Sequence, residues 1–345
     1  VGKEQAVVGA VQDLTHFLIG ADPFEIERLW NIMYRGVIWR GGPVLMAALS
    51  GVEHALWDIK ARAFDVPVWQ LLGGRVRDRI RAYAWIHGGE PASYHDDALA
   101  RLDEGFRAVK FTPFEGTNAG YSMAHGRRVE ARVSAVREAV GDEIGMAIDG
   151  HGLLSPINAM EMAKRIEPYG VLFFEEPVLP EHLDAMADIR RTARIPIATG
   201  ERLFTRYPFK ELLVKEAVDV IQADVGNAGG ILEVYKIAAM AEAFYVTMAP
   251  HNPWSPLSTA ISLHLDAVIP NFLIQELPTA LAPPERAELI LEQIEQPEDG
   301  YLAIPDGPGW GVTLNEDFIK THPWDPATPR KPWVPKDGDG GLIYT

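Results

Sequence analysis

From Arg79 to Glu276 the chain repeats one rhythm: a short β-rich run, then a helical stretch long enough to carry the chain back along it. The eight β-like runs are Ala82 to Ile86, Ala108 to Phe111, Gly145 to Ile148, Val171 to Phe174, Pro196 to Thr199, Val218 to Gln222, Tyr245 to Ala249 and Phe272 to Gln275. Segments such as Ala131 to Ala139, Ile157 to Ile166, Leu183 to Arg191, Pro208 to Lys215, Ile231 to Ala243 and Ser258 to Val268 have helical apolar spacing. A strand followed by a crossover helix meets the next strand in parallel. Eight such units predict a closed α/β barrel whose binding end is built from the carboxyl ends of the strands.

The flanking regions are different. Residues 1–75 read as helices, from Glu4 to Ile19, from Pro23 onward and from Val44 to Phe64, and the Gly73-Gly74 pair ends this layer. The barrel is expected over 76–277. Residues 278–345 are rich in Pro and Gly and are expected to return toward the opening helices as loops and short strands. The sequence has 48 Asp and Glu against 32 Lys and Arg, a formal net charge of -16, and no basic stripe, so nucleic acid is not an expected partner. There is no cysteine, which removes disulfides, thiolate nucleophiles and thiolate zinc sites and fits a reducing compartment, the cytoplasm. The apolar stretch from Ile261 to Ile269 is broken by His264 and Asp266, and no signal peptide opens the chain, so no membrane association is expected.

The chemistry is carried by residues at the strand ends. The third to eighth runs lead to Asp149, Glu175, Glu201, Asp224, His251 and Glu276, separated by 26, 26, 23, 27 and 25 residues. Each step is one β-α unit, so these side chains converge on one barrel mouth. Three successive carboxylates, Asp149, Glu175 and Glu201, repel one another unless a cation lies between them. Oxygen ligands without cysteine suit a hard divalent ion, with magnesium the best match and manganese a substitute. His251 with Asp224 forms a dyad: a carboxylate that accepts from one imidazole nitrogen leaves the other as a general base. His151, two residues past Asp149, shares a strand face with it and offers a second acid or base. Glu276, protonated or hydrogen-bonded, would support a developing oxyanion or hold a hydroxyl.

Taken singly, each of these residues has a plainer reading. An acid at a strand end is commonly a helix cap or a surface charge. His251 between Pro250 and Pro253 would be a loop residue, and His151 between Gly150 and Gly152 a turn residue. The common spacing is what favours a site. Glu176 has the wrong parity and precedes Pro177, so it reads as structural. The aromatic and Met residues of the opening helices, such as Trp30, Met33, Tyr34 and Trp57, read as core.

The stretches Gly41-Gly-Pro-Val-Leu45, Val68 to Gly74, Gly105-Phe-Arg-Ala-Val-Lys110, Ile148-Asp-Gly-His151, Phe174-Glu-Glu-Pro177, Gly200-Glu-Arg-Leu203, Gln222-Ala-Asp224 with Gly229-Gly230, Ala249-Pro-His251 and Ile274-Gln-Glu-Leu277 cover nearly the whole chain. With them the sequence resembles the mandelate racemase subgroup of the enolase superfamily, and within it the acid-sugar dehydratases related to D-galactonate dehydratase. The resemblance implies a modified (β/α)8 TIM-like barrel with an α+β capping domain, whose N-terminal strands lie outside this numbering. It implies magnesium on Asp149, Glu175 and Glu201, and His251 with Asp224 as the base that removes the proton alpha to a carboxylate. By the same resemblance, His151 protonates the departing 3-hydroxyl of an aldonate, yielding a 2-keto-3-deoxy acid, and the enzyme is a homo-oligomer. The second strand reads Lys110-Phe-Thr112, so the paired lysines of many racemases in the subgroup are incomplete. Lys110 is either a substrate contact or a structural residue of the barrel, and Tyr121 and His125 in a lid-length loop from Pro113 to Arg128 are candidate substrate contacts. The rivals are racemisation or epimerisation, with His251 opposed by His151 or Lys110, and a catalytically weak relative of another class that binds sugar acids or metal and acts through interactions, in regulation.

Overall fold

A computed structural model of the chain describes residues 3–114, 122–279 and 283–323. Helices α1 (Glu4–Leu18), α2 (Ile26–Arg35), α3 (Gly42–Ala63) and α4 (Val68–Leu71) form the opening layer. In α2 the buried side chains Ile26, Leu29, Trp30 and Met33 fall on one face at helical spacing. Strands and helices then alternate as β1 (Arg79–Trp85), α5 (Pro91–Asp103), β2 (Ala108–Phe111), α6 (Met123–Val140), β3 (Gly145–Asp149), α7 (Pro156–Ile166), β4 (Phe174–Glu175), α8 (Leu183–Thr192), β5 (Ile197–Thr199), α9 (Arg206–Val214), β6 (Val220–Ile221), α10 (Ile231–Ala243), β7 (Thr247–Met248), α11 (Pro256–Val268) and β8 (Gln275–Leu277). Among the described residues no helix is long and apolar enough to cross a membrane.

The strands run in the order β7-β6-β5-β4-β3-β2-β1-β8, all parallel. A parallel bridge between Met248 and Phe272 joins β7 to the residues leading into β8. The expected runs mark their strands, but β4, β6 and β7 are only two residues long. At β4 the cause is local, because Glu176 takes a positive φ of 35° and turns the chain out of the ladder. Strand β8 reaches Leu277, past the expected end at Gln275.

Tyr83, Ala108, Ala147, Phe173, Ala198, Val220, Ala249 and Ile274, one from each of the eight strand regions, form the buried cluster inside the barrel. Large and very small side chains are mixed because an eight-stranded barrel leaves room for few large ones. A larger core lies between the strands and the outer helices.

After β8 the chain forms a short 3-10 helix, strand β9 (Tyr301–Ala303), which pairs antiparallel with β1, and α12 (Glu316–Thr321). It then meets the opening layer: Trp310 donates its backbone N–H to Asp58 and its indole N–H to the carbonyl of His54. The layer is also tied to the barrel through the turn before α10. Trp30 Nε1 donates to the Gly229 carbonyl (2.7 Å), Ser50 Oγ accepts from Gly229 N–H (3.1 Å), and the buried Glu53 carboxylate caps α10 by accepting from the N–H groups of Ile231 and Leu232 (3.0 Å each). Gly230, at φ 87°, has no room for a Cβ against this carboxylate.

Candidate active site

The barrel-filling cluster shows how the site is assembled. Side chains two residues apart on a strand share a face, so two steps beyond Tyr83, Ala108, Ala147, Phe173, Ala249 and Ile274 come Trp85, Lys110, Asp149, Glu175, His251 and Glu276. All but His251 are buried, and each lies at the carboxyl end of its strand. Asp224 follows Val220 on the same parity. Glu201 breaks it: Gly200 takes the inward position and Glu201 enters from the turn after β5.

Lys110 sits among the acids as a counter-ion. Its Nζ is 2.7 Å from Glu175, 2.9 Å from Glu276 and 3.7 Å from Asp149, and 4.6 Å from the centre of the Trp85 ring. The lysine has no exposed surface, so of the two readings open for it the structural one holds: it is a buried ion pair, not a substrate contact. Even so, Asp149 Oδ2 and Glu175 Oε1 are buried without a hydrogen-bond partner. Burial pushes the Asp149 carboxyl up to about 6 against the lowering effect of Lys110. Burial, with repulsion from Asp149, raises Glu175. Glu201 is raised well above the usual carboxylate range by burial, with Glu176, Glu175 and Asp149 adding repulsion and His251 opposing it.

His251 Nδ1 is 2.8 Å from Asp224 Oδ2, and its Nε2 is 3.1 Å from Glu201 and 4.0 Å from Glu276. Burial alone would lower this imidazole, but Glu201, Glu276 and Asp224 outweigh it and push it up to about 10. Asp224 is fixed by two further donors, Gly226 N–H and Trp254 Nε1 (2.7 Å each). Trp254 is in turn held through its carbonyl by Arg286, whose guanidinium pairs with Glu295. Glu276 accepts from Trp85 Nε1, Asn252 N–H and Lys110. Burial would raise Glu276, but Lys110 and His251, with the two N–H donors, bring it down to about 2. It is an ionised acceptor, not a protonated donor.

β3 ends at Asp149, so His151 does not share its strand face as expected but lies in the turn two residues beyond, with a positive φ of 46°, and its backbone N–H donates to Asp149 Oδ1 (2.8 Å). Its Nδ1 is 3.1 Å from Thr112 Oγ1 and 3.4 Å from Asp149 Oδ1, and the ring lies 5.9 Å from that of Trp85. Its side chain keeps 30% of its surface exposed. Burial, reinforced by Lys110 and opposed by Glu175, lowers the imidazole to about 4. Glu176 faces away from the Glu175 side and accepts from Thr199 and Arg202. His125 lies buried in the first turn of α6. Tyr121, with residues 115–121 of the expected lid, falls outside the described residues, and residues 123–128 of that segment are the start of α6 rather than loop.

Trp85, Thr112 and Trp254 are site residues that the spacing of acids and histidines does not reveal. For Trp85 a signal existed, since it has the parity of the barrel-filling residues. Thr112, two residues beyond Lys110, has the same parity, whereas Trp254 lies six residues past β7 and is found only from the folded chain.

Among the described residues, no three His, Asp or Glu side chains are arranged as a ready-made metal cage. Lys110 draws Glu175 and Glu276 toward itself, and Glu201 leans on His251. The donor set nevertheless suits a hard cation: two buried carboxylate oxygens without a hydrogen bond and three carboxylates raised by burial and by neighbouring acids are what a divalent ion would relieve.

The chain matches known proteins along most of its length. Residues 93–318 match the family described as enolase C-terminal domain-like, and residues 1–73 the mandelate racemase / muconate lactonizing enzyme N-terminal domain. Among solved structures, a protein from Salmonella enterica serovar Typhimurium, provisionally named a dehydratase, is 36% identical with a TM-score of 0.88, over 93% of this chain and 86% of that one. A provisionally named dehydratase from Mesorhizobium loti is 36% identical with a TM-score of 0.86, over 93% and 88%. An enolase from Agrobacterium radiobacter, provisionally named a galactarate dehydratase and solved with sodium and L-malate, is 32% identical with a TM-score of 0.91, over 99% and 90%. The chain belongs to the enolase superfamily, with an N-terminal domain of the mandelate racemase / muconate lactonizing enzyme type.

Proposed function

We propose that this chain is a magnesium-dependent hydro-lyase that removes water from a sugar acid, an aldonate of five or six carbons, to give a 2-keto-3-deoxy acid. The observation that carries this reading is the pair of imidazoles among the acids, His251 bonded to Asp224 and His151 3.4 Å from Asp149, together with buried oxygens on Asp149 and Glu175 that accept no hydrogen bond. The names of the Salmonella, Mesorhizobium and Agrobacterium relatives support dehydration, and the galactarate name adds the diacids to the acids to be tested.

Asp149, Glu175 and Glu201 would hold the cation. Bound there, it supplies positive charge against the substrate carboxylate as negative charge builds on it, the kind of stabilisation that usually dominates catalysis. Asp224 fixes Nδ1 of His251, so Nε2 is the nitrogen that takes the alpha proton. His151 delivers a proton to the 3-hydroxyl, the C–O bond breaks, and water leaves. The resulting enol tautomerises to the keto acid.

At about 10 His251 is charged at neutral pH, whereas a base must be neutral. Glu201 is the strongest of the groups that hold this proton, and Glu201 no longer does so once its charge is taken up by a cation. The same charges favour a second reading, in which the neutral His151 is the base and His251 the acid. The two assignments part on alpha-proton exchange in deuterated water, which disappears only when the base is removed. Racemisation by Lys110 is disfavoured, because that lysine is fully buried and bonded to Glu175 and Glu276.

The test is a panel of aldonates and aldarates with magnesium, followed by a reagent for 2-keto-3-deoxy acids. One or a few acids should give product. A blank panel, with magnesium uptake measured by calorimetry, would overturn dehydration.

A further inference from the structure

The loop after β7 carries a donor to each of two carboxylates that flank His251. Asn252 gives its backbone N–H to Glu276 Oε2 (2.6 Å). Trp254 gives its indole N–H to Asp224 Oδ2 (2.7 Å), the same oxygen that His251 Nδ1 meets at 2.8 Å. Behind the loop, both residues lead to one side chain, Glu295, in the segment that follows β8. On one arm Asn252 Nδ2 donates to Thr259 Oγ1 (2.8 Å), and that hydroxyl donates to Glu295 Oε1 (2.5 Å). On the other, both oxygens of Glu295 accept from Arg286, whose Nε donates to the Trp254 carbonyl (2.5 Å). Asn252 and Thr259 have no exposed surface, and the side chains of Arg286 and Glu295 are mostly covered.

We infer that Glu295 is a positioning residue for the His251 site: it holds the loop from behind, so that Trp254 stays aimed at Asp224 and Asn252 at Glu276. The direction of each bond follows from the acceptor at the end of the chain. A carboxylate paired with a guanidinium only accepts, so the one hydroxyl hydrogen of Thr259 goes to Glu295 and its lone pairs are left for Asn252 Nδ2. The guanidinium is a rigid planar fork, so fixing two of its nitrogens on Glu295 also fixes the third against the Trp254 carbonyl. Asp224 keeps Gly226 N–H as a further donor, so loss of Glu295 loosens the dyad rather than dissolving it. The effect on turnover rests on the functional reading above; the effect on the loop does not.

The test compares wild type with Glu295→Gln, which cuts both arms, Arg286→Met, which cuts the Trp254 arm, and Thr259→Val, which cuts the Asn252 arm and keeps the ion pair. Two indoles report on the arms without substrate, since Trp254 donates to Asp224 and Trp85 to Glu276. Their N–H signals are followed by proton–nitrogen NMR, with Trp254→Phe and Trp85→Phe assigning them. Arg286→Met should shift the Trp254 signal, Thr259→Val the Trp85 signal, and Glu295→Gln both. With the best acid of the panel, Glu295→Gln should lower kcat by on the order of 10-fold to 100-fold while KM stays within about twofold. Adding Thr259→Val to Glu295→Gln should cost nothing further, because both changes cut the same chain. If both indole signals and kcat hold while the urea midpoint falls, the pair only stabilises the fold and the inference is overturned. Losses that multiply in the double variant overturn it as well. Should Glu295→Gln fail to fold, the two single-arm variants decide, each by its own indole signal. Wild-type protein that turns over no acid overturns the functional reading instead, and the indole signals still decide whether Glu295 holds the loop.

Discussion

Compared with His151, His251 is held by charge. Three carboxylates, on Asp224, Glu201 and Glu276, lie within 4.0 Å of its two nitrogens, and its side chain keeps only 13% of its surface. His151 is more open, bonds a neutral hydroxyl, and stands in a strained backbone position that a non-glycine residue adopts rarely. The charges push one imidazole up and burial pushes the other down, so two identical side chains in one mouth have different ionisation. The lesson is that the role of a histidine at a strand end is set by its partners on neighbouring strands, not by its place in the repeat.

The strongest way to break this comparison is to remove each ring in turn. His251→Asn should lower both turnover and alpha exchange by about 10^3-fold to 10^4-fold, whereas His151→Asn should lower dehydration by about 10^2-fold or more and leave exchange within a few-fold. Exchange measured by mass increase in deuterated water decides it. The opposite pattern would exchange the roles of the two flanks. Lys110→Met attacks the charge balance between them, because it strands buried carboxylates and removes the cation that helps keep His151 neutral. Without divalent ions it should cost about 3–5 kcal/mol in urea unfolding, and added magnesium should recover part of that. No recovery would count against a cation on these carboxylates.

A third histidine calibrates the other two. His264 accepts from Trp69 N–H at Nδ1 (3.0 Å) and donates from Nε2 to the Trp310 carbonyl (3.1 Å), with no charge involved. Burial lowers it from 6.5 to about 4. A depressed folded-state value means that the unfolded chain binds the proton first. Its contribution to stability is therefore complete above pH 6.5 and is lost as pH falls toward 4, on the order of 3 kcal/mol in all. His264→Gln, which can accept and donate at the same two places, should flatten that part of the acid limb in unfolding measured from pH 7 to pH 4. An equal slope in both proteins would assign the limb to other groups. The smallest effect is expected of Trp254→Phe, which removes one donor from Asp224 but leaves the His251 bond. A drop in kcat of about tenfold with KM unchanged would sharpen the picture of a dyad whose carboxylate needs several donors.

Asp149, Glu175, Glu201, Asp224, His251 and Glu276 were legible in the sequence because each comes one turn of a repeating unit after the last, and a repeat projects onto the chain as constant spacing. The parallel barrel was legible for the same reason. Less was visible where geometry depends on which ring meets which neighbour. Lys110 could be read two ways because sequence shows its strand but not the Glu175 and Glu276 side chains that close over it. Helix α5 was not singled out, although its Tyr94 and Ala98 are buried. Strand β9 pairs with β1 over more than two hundred residues of chain, a contact that no local pattern announces.

The carboxylate of Glu53 bears on how such a protein can be taken apart. It is fully buried, belongs to α3, and finds its donors on the first turn of α10, while Trp30 and Ser50 grip the glycine just before that turn. The same turn comes directly after Asp224. A barrel expressed without the opening helices would expose this turn with its N–H groups unanswered, and in the helices alone Glu53 would keep only its Trp57 donor of the same helix. In a chimera, a foreign cap that lacks counterparts of Trp30, Ser50 and Glu53 would therefore disturb the dyad even if it never touched substrate.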